Sequence, residues 1–259
     1  MIEPSSLTVF QTQTAVFQCS IEHPTSSYVS WLKNDRPLQL DHRMTILPSG
    51  SLEITDVNIG DRAGYRCSAG SIISRQADLK LQALVSNADP EPPAFLVIPT
   101  SKSVIIGGDV TLECSANGLP QPTITWLKDG RQLEMDHLDT RYGKTGYGSL
   151  TIKSVKLGDE GGYQCRAENT EDSLDTGVEL EVVVAPAFNK KPVSHVSYEK
   201  DDILFDCEVT GRPEPDVQWY KNGDLIIQSE YFQVMSSTIW KSHTFFLLFE
   251  LSRWFAERA

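Results

Sequence analysis

Long apolar runs are missing from this 259-residue chain, and its most apolar stretch, Thr244 to Phe249, is far short of a membrane span. A spanning helix needs ~20 such residues. Basic residues are also scarce, with 23 Lys and Arg against 35 Asp and Glu and a formal net charge of −12. That deficit argues against nucleic acid as a partner, because phosphate binding draws on clustered Lys and Arg. It argues equally against adhesion to an anionic membrane surface. The five histidines, His23, His42, His137, His195 and His243, are scattered, and none has a ligand partner at helical or hairpin spacing. They read as surface residues and supply neither a metal site nor a catalytic base. No glycine loop suited to phosphate occurs, since Gly107-Gly108-Asp109 is the turn before a strand. Asn-x-Ser/Thr acceptors are absent, so no N-glycan can be assigned. No basic, apolar leader follows Met1, and the chain reads as an internal piece of a larger secreted or membrane protein, or an incomplete gene product. The expectation is a non-catalytic chain without cofactor or metal.

Short stretches of strict alternation dominate what is there. Val110, Leu112, Cys114 and Ala116 share one face of a strand, and Ile124 with Trp126 one face of the next. Leu150 with Ile152, and Tyr163 with Cys165 and Ala167, repeat the pattern. Period-two alternation predicts half-buried strands of an antiparallel sandwich. Trp126 follows Cys114 by twelve residues and Tyr163 precedes Cys165 by two, offsets that match the immunoglobulin signature. That match implies a disulfide from Cys114 to Cys165 between the two sheets, an indole packed against it, and a tyrosine that closes a corner.

The pattern occurs three times. In the first copy Ala15, Phe17, Cys19 and Ile21 form the inward row, Trp31 lies twelve past Cys19, and Tyr65-Arg66-Cys67 closes the copy, pairing Cys19 with Cys67. Arg43 precedes Asp61 by eighteen residues, and Arg141 precedes Asp159 by the same interval, which suggests a structural ion pair in each sandwich. The third copy starts with Ile203, Phe205, Cys207 and Val209, and Trp219 is again twelve past the cysteine. Its second cysteine is due near Phe255 to Arg258, where none occurs, so Cys207 is expected to be an unpaired core thiol. Four paired cysteines point to an oxidising compartment. The organisation read from these repeats is a domain at 1–82, a linker at 83–93, a domain at 94–184, a partial domain at 185–234 and a non-homologous tail at 235–259. The Pro- and acid-rich linker is long enough for the first two domains to fold back. The junction Val182 to Phe188 is expected to be stiff and extended.

Gly118-Leu119-Pro120-Gln121-Pro122 and Gly211-Arg212-Pro213-Glu214-Pro215, each before a strand ending in tryptophan, resemble the intermediate-set (I-set) immunoglobulin domain. Asp159-Glu160-Gly161-Gly162-Tyr163-Gln164-Cys165 fits its closing motif; Asp61-Arg62-Ala63-Gly64-Tyr65-Arg66-Cys67 fits with Ala63 in place of the more usual glycine or serine. Three further segments narrow the resemblance. Glu3-Pro4-Ser5-Ser6, Asn34 to Arg43 and Leu47 to Leu52 are similar to the second immunoglobulin domain of the netrin-receptor family, the group of neogenin, deleted in colorectal cancer and frazzled. Phe205 to Pro213 and Lys221 to Val234 resemble the fourth.

The resemblance implies an all-β chain of tandem I-set sandwiches from the extracellular side of a single-pass guidance receptor. In that family four immunoglobulin domains form a horseshoe bent between the second and third, which puts the linker at the bend. Fibronectin type III repeats follow and carry most netrin contacts. The expected role is extracellular ligand recognition and spacing, without catalysis; the expected partners are extracellular proteins or other receptors, with netrin-like cues engaged through the full receptor. Two alternatives are a structural immunoglobulin array of matrix or sarcomere, and the ectodomain of a receptor kinase or phosphatase.

Overall fold

The computed structural model describes residues 2–20, 29–82, 89–134, 140–198, 201–236 and 239–243, with backbone only from 234 on. Ile21, His23, His137, the first part of the linker (83–88) and residues 244–259 of the tail lie outside the described residues. Among the described residues the elements are strands and two short 3-10 turns, and no helix is long and apolar enough to cross a membrane. The chain divides into two compact units, Met1–Glu181 and Val182–Ala259.

The first unit holds two sandwiches. In the first, one sheet orders Leu7–Phe10, Ala77–Gln82, Gly64–Ala69, Ser30–Lys33 and Arg36–Pro37. The facing sheet orders Ala15–Phe17, Leu52–Ile54 and Met44–Ile46. Leu7–Phe10 pairs in parallel with Ala77–Gln82, Leu7 opposite Leu79 and Phe10 opposite Gln82. Alternation turns Phe17, Leu52, Ile54, Tyr65 and Cys67 into a core from which water is excluded. A disulfide joins Cys19 to Cys67 across the sheets. Trp31 packs beside Phe17, and its indole Nε1 donates to Gly50 O at 2.9 Å. Gly50 has φ of +95°, and a Cβ there would press on Val29 and on Cys19 O, so the turn that presents this carbonyl requires glycine.

The second sandwich repeats the plan. Lys102–Ile105, Ser173–Lys190, Gly161–Glu168, Thr123–Lys128 and Arg131–Gln132 form one sheet; Val110–Leu112, Ser149–Ile152 and Tyr142–Thr145 form the other. A further strand, Glu91–Val97, pairs with Ser115–Leu119. Cys114 is bonded to Cys165, Trp126 lies opposite Cys165 in the sheet register, and Trp126 Nε1 donates to Gly148 O at 2.7 Å. The tyrosine corners match: Tyr65 donates its hydroxyl to Asp61 O at 2.8 Å, and Tyr163 donates to Asp159 O at 2.6 Å.

Each corner turn is tied by an ion pair. Arg43 Nη1 lies 2.7 Å from Asp61 Oδ2, and Arg141 Nη1 lies 2.5 Å from Asp159 Oδ2. Burial works against the Asp159 charge, but the Arg141 side chain, the Tyr142 hydroxyl and the Lys156 amide overcome it and lower the carboxyl from 3.8 to about 2. A carboxyl whose folded pKa is depressed stabilises the fold above its unfolded pKa, and that stability drains as pH falls toward the folded value. The acid limb of the stability curve should therefore fall between about pH 4 and pH 2, and Asp159→Asn should flatten it. Thermal unfolding across that range measures this, and equal slopes for both proteins would refute it.

The second unit contains the third copy. Asp202–Asp206, Ile239–His243 and Phe232–Ser236 form a sheet, and Tyr220–Lys221 pairs with Asp224–Leu225. Glu208–Arg212 pairs with the end of Ser173–Lys190, Val184 opposite Arg212 and Lys190 opposite Glu208. Two strands thus run into the stretch read as a non-homologous tail: Phe232–Ser236 crosses its start, and Ile239–His243 lies within it, paired along the whole of Asp202–Asp206. Among the described residues the fully buried core here is Cys207 and Trp219, with Phe205, Val209, Val217, Ile226 and Phe232 packed around them. The first sandwich buries twelve residues in the same way. Each earlier copy is closed by a disulfide while Cys207 is free, which predicts that limited proteolysis clears 187–259 before either earlier copy is cut; a protease-resistant third copy would sink the expectation.

Candidate functional site: the contact between the first two sandwiches

Buried polar side chains that serve neither core are gathered where the first two sandwiches meet. Asn117, on Ser115–Leu119, reaches across to the backbone of residue 14. Thr14 N donates to Asn117 Oδ1 at 2.9 Å, and Asn117 Nδ2 donates to Thr14 O at 2.7 Å. One primary amide thus satisfies both peptide groups of a residue that is 1% exposed, as a strand partner would. Gln121 Nε2 donates to Thr14 Oγ1 at 3.2 Å and to Ala116 O at 3.0 Å. Gln13, held by Phe10 N on Oε1, donates from Nε2 to Gly118 O at 3.4 Å. At one flank Ser49 N donates to Glu113 Oε1 at 2.6 Å.

The most enclosed group is Glu53. Its strand alternation points it out of its own sandwich, and the second sandwich closes over it, leaving it 0% exposed. Tyr147 N donates to its Oε2 at 2.7 Å. Gly146 has φ of +61°, and a Cβ there would collide with that same oxygen. Tyr147 is anchored by donating its hydroxyl to Pro122 O. The arrangement joins the two sandwiches by directional hydrogen bonds and holds the Glu53 carboxyl away from solvent.

The residues singled out from the sequence lie elsewhere. Cys19, Cys67, Trp31 and Tyr65 sit in the first core, and Cys114, Cys165, Trp126 and Tyr163 in the second. Trp219 and Cys207 sit in the third, where burial pushes the free Cys207 thiol above its ordinary pKa. None of the ten reaches the contact. Sequence reasoning missed Gln13, Thr14, Glu53, Asn117 and Tyr147, and read Gly118 to Pro122 only as a domain signature. The one available signal was Glu53, a carboxylate between Leu52 and Ile54.

Two sandwiches with inter-sheet disulfides, buried tryptophans and tyrosine corners, followed by a third copy of the pattern, define a tandem immunoglobulin segment. Sequence comparison agrees: the immunoglobulin I-set domain family matches residues 1–82 and 186–248, and a second immunoglobulin domain family matches 92–169. The chain belongs to the immunoglobulin I-set family. The match at 186–248 continues beyond residue 234, in step with the strand at Ile239–His243.

The resemblance to netrin receptors holds. Human neogenin is 38% identical over 238 residues, covering 90% of this chain and 16% of the relative. The human netrin receptor DCC is 33% identical over 242 residues, covering 91% of this chain and 16% of the relative. The human peroxidasin homolog is 32% identical over 239 residues, again 16% of the relative. The chain thus spans about a sixth of the curated relatives it matches. In its extent it is a non-catalytic immunoglobulin segment. Among solved structures, Sidekick-1 immunoglobulin domains 1–4 superpose with a TM-score of 0.70 at 22% identity, covering 94% of this chain and 69% of that one. The N-terminal four immunoglobulin domains of Dscam1 isoform 4.44 superpose at 0.64 with 26% identity, covering 88% and 65%.

Proposed function

We propose that this chain is the extracellular recognition and spacer segment of a netrin-receptor-like cell-surface receptor for guidance or adhesion. The carrying observation is an identity of 38% to neogenin and 33% to the netrin receptor DCC that runs through all three copies in order. The bonded sandwich pair supports a geometric role: it holds two domains folded back, so that the segment presents a fixed surface in place of a flexible string. Partners are extracellular proteins or other receptors, and netrin-like cues act through the full receptor. The reading is tested by sequencing the transcript beyond both ends. Fibronectin type III repeats and one apolar span of ~20 residues downstream support it; an intracellular kinase or phosphatase reading frame overturns it.

A second reading, an immunoglobulin array of the matrix, is favoured by the 32% identity to the peroxidasin homolog. It requires flanking sequence with further immunoglobulin repeats and no membrane span, so the same experiment separates the two.

A further inference from the structure

Glu53 is a buried carboxyl, and among the described residues no salt bridge pairs it with a cation. On its own sheet Val16 and Thr45 lie opposite it in the register, and neither titrates. From the second sandwich the groups acting on it are the Tyr147 amide, the Ser115 hydroxyl and the charge of Glu113, which repels it. The lysine two to three residues before Gly146 and Tyr147, Lys144, donates instead to Ile124 O at 3.2 Å. Among the described residues Glu53 Oε1 has no hydrogen-bond partner, and neither does the buried Ser115 Oγ. The two unpaired atoms belong to opposite sandwiches. A proton on Oε1 removes an enclosed charge that Glu113 repels, and the Ser115 hydroxyl, which can donate or accept, serves either form of the carboxyl.

We propose that the contact between the first two sandwiches is a proton-operated latch, closed by protonation of Glu53 and loosened when Glu53 ionises. Burial is the largest influence on this carboxyl and, with the charge of Glu113, pushes its pKa above the ordinary 4.5, outweighing the Tyr147 amide and the Ser115 hydroxyl, which favour the charge. Separation of the sandwiches exposes Glu53 to water and returns it to that ordinary value. The sign follows by linkage: an acid with a higher pKa in the closed state supports closure at low pH, and the support is lost as pH rises through the closed-state pKa. The contact therefore tightens on acidification. Lost ion pairs, by contrast, weaken the sandwich cores only at far lower pH.

Hydrogen exchange on the full chain tests this, read as protection factors normalised to the intrinsic exchange rate at each pH. The amides of Thr14 and Tyr147 report the contact, and the amide of Cys67, bonded to Ser74 Oγ at 3.0 Å, reports the first core. Protection at Thr14 and Tyr147 should fall as pH rises above the ordinary carboxyl value of 4.5, by up to tenfold for each unit separating the two pKa values. Cys67 should not follow. Glu53→Gln, a neutral isostere, should keep both contact amides protected and remove their pH dependence. Flat protection at Thr14 and Tyr147 in the wild-type chain overturns the proposal by itself, whether or not the variant folds. A pH dependence that persists unchanged in Glu53→Gln overturns it as well.

Discussion

Trp126→Ala should destabilise the second sandwich by about 4 kcal/mol, the middle of the range for removing a buried tryptophan. Trp126 is fully buried, opposite the bonded Cys165 in the sheet register, and its indole supplies the hydrogen bond to Gly148 O. Truncation removes the largest side chain of that core and leaves Gly148 O without its donor, and an unsatisfied buried carbonyl adds to the cavity cost. Against a typical domain stability of about 5–15 kcal/mol, the loss takes a large share. Trp126→Phe keeps most of the packing and loses only the donor, so it should cost roughly half. Denaturant unfolding followed by near-ultraviolet circular dichroism measures both. A loss below about 2 kcal/mol for the alanine variant would mean that the core closes over the gap.

Asn117→Ala should act in a different place. It removes the acceptor for Thr14 N and the donor for Thr14 O together. Two peptide groups stranded away from water cost about 2–4 kcal/mol, charged almost entirely to the contact, since Asn117 is in neither core. The sandwiches should keep their individual melting temperatures, while the population with the contact open rises about thirtyfold or more, 1.4 kcal/mol being a factor of ten. Small-angle scattering should show a more extended particle. Asn117→Asp keeps the acceptor but sets a carboxylate oxygen against Thr14 O, and should lose at least as much at neutral pH. Unchanged scattering in Asn117→Ala would show that the contact is held by its apolar surroundings.

What was legible in the sequence was what repeats or alternates. Fixed offsets from cysteine to tryptophan and from tyrosine to cysteine state the sandwich class, because inter-sheet geometry allows few other spacings. The shared interval from Arg43 to Asp61 and from Arg141 to Asp159 is legible for the same reason: it closes one turn in both copies. The contact between the sandwiches was not legible. Thr14 and Asn117 are 103 residues apart, Glu53 and Tyr147 are 94 apart, and no periodicity connects them. Alternation does assign Glu53 to the outer face of its strand, and that is where it lies; a second domain then buries the outer face. A period-two pattern knows one sandwich and nothing of its neighbour. The strand at Ile239–His243 escaped for a related reason. Its residues lack the alternation of the equivalent strands in the first two copies, and pairing to Asp202–Asp206 comes from backbone register, to which side-chain pattern is a loose guide.

The parallel pairing of Leu7–Phe10 with Ala77–Gln82 bears on how the first sandwich carries load. Leu7, Thr8, Val9 and Phe10 face Leu79, Lys80, Leu81 and Gln82 in unbroken register. These strands lie near opposite ends of the domain's sequence, and they run in the same direction. A pull on the two ends therefore drags the strands past each other lengthwise and loads all of their rungs at once. Antiparallel neighbours pulled from one end would instead unzip rung by rung. Tension applied at the two ends of this sandwich is met with the whole ladder in shear, and forced unfolding is governed by the rate of crossing that barrier, whatever the equilibrium stability.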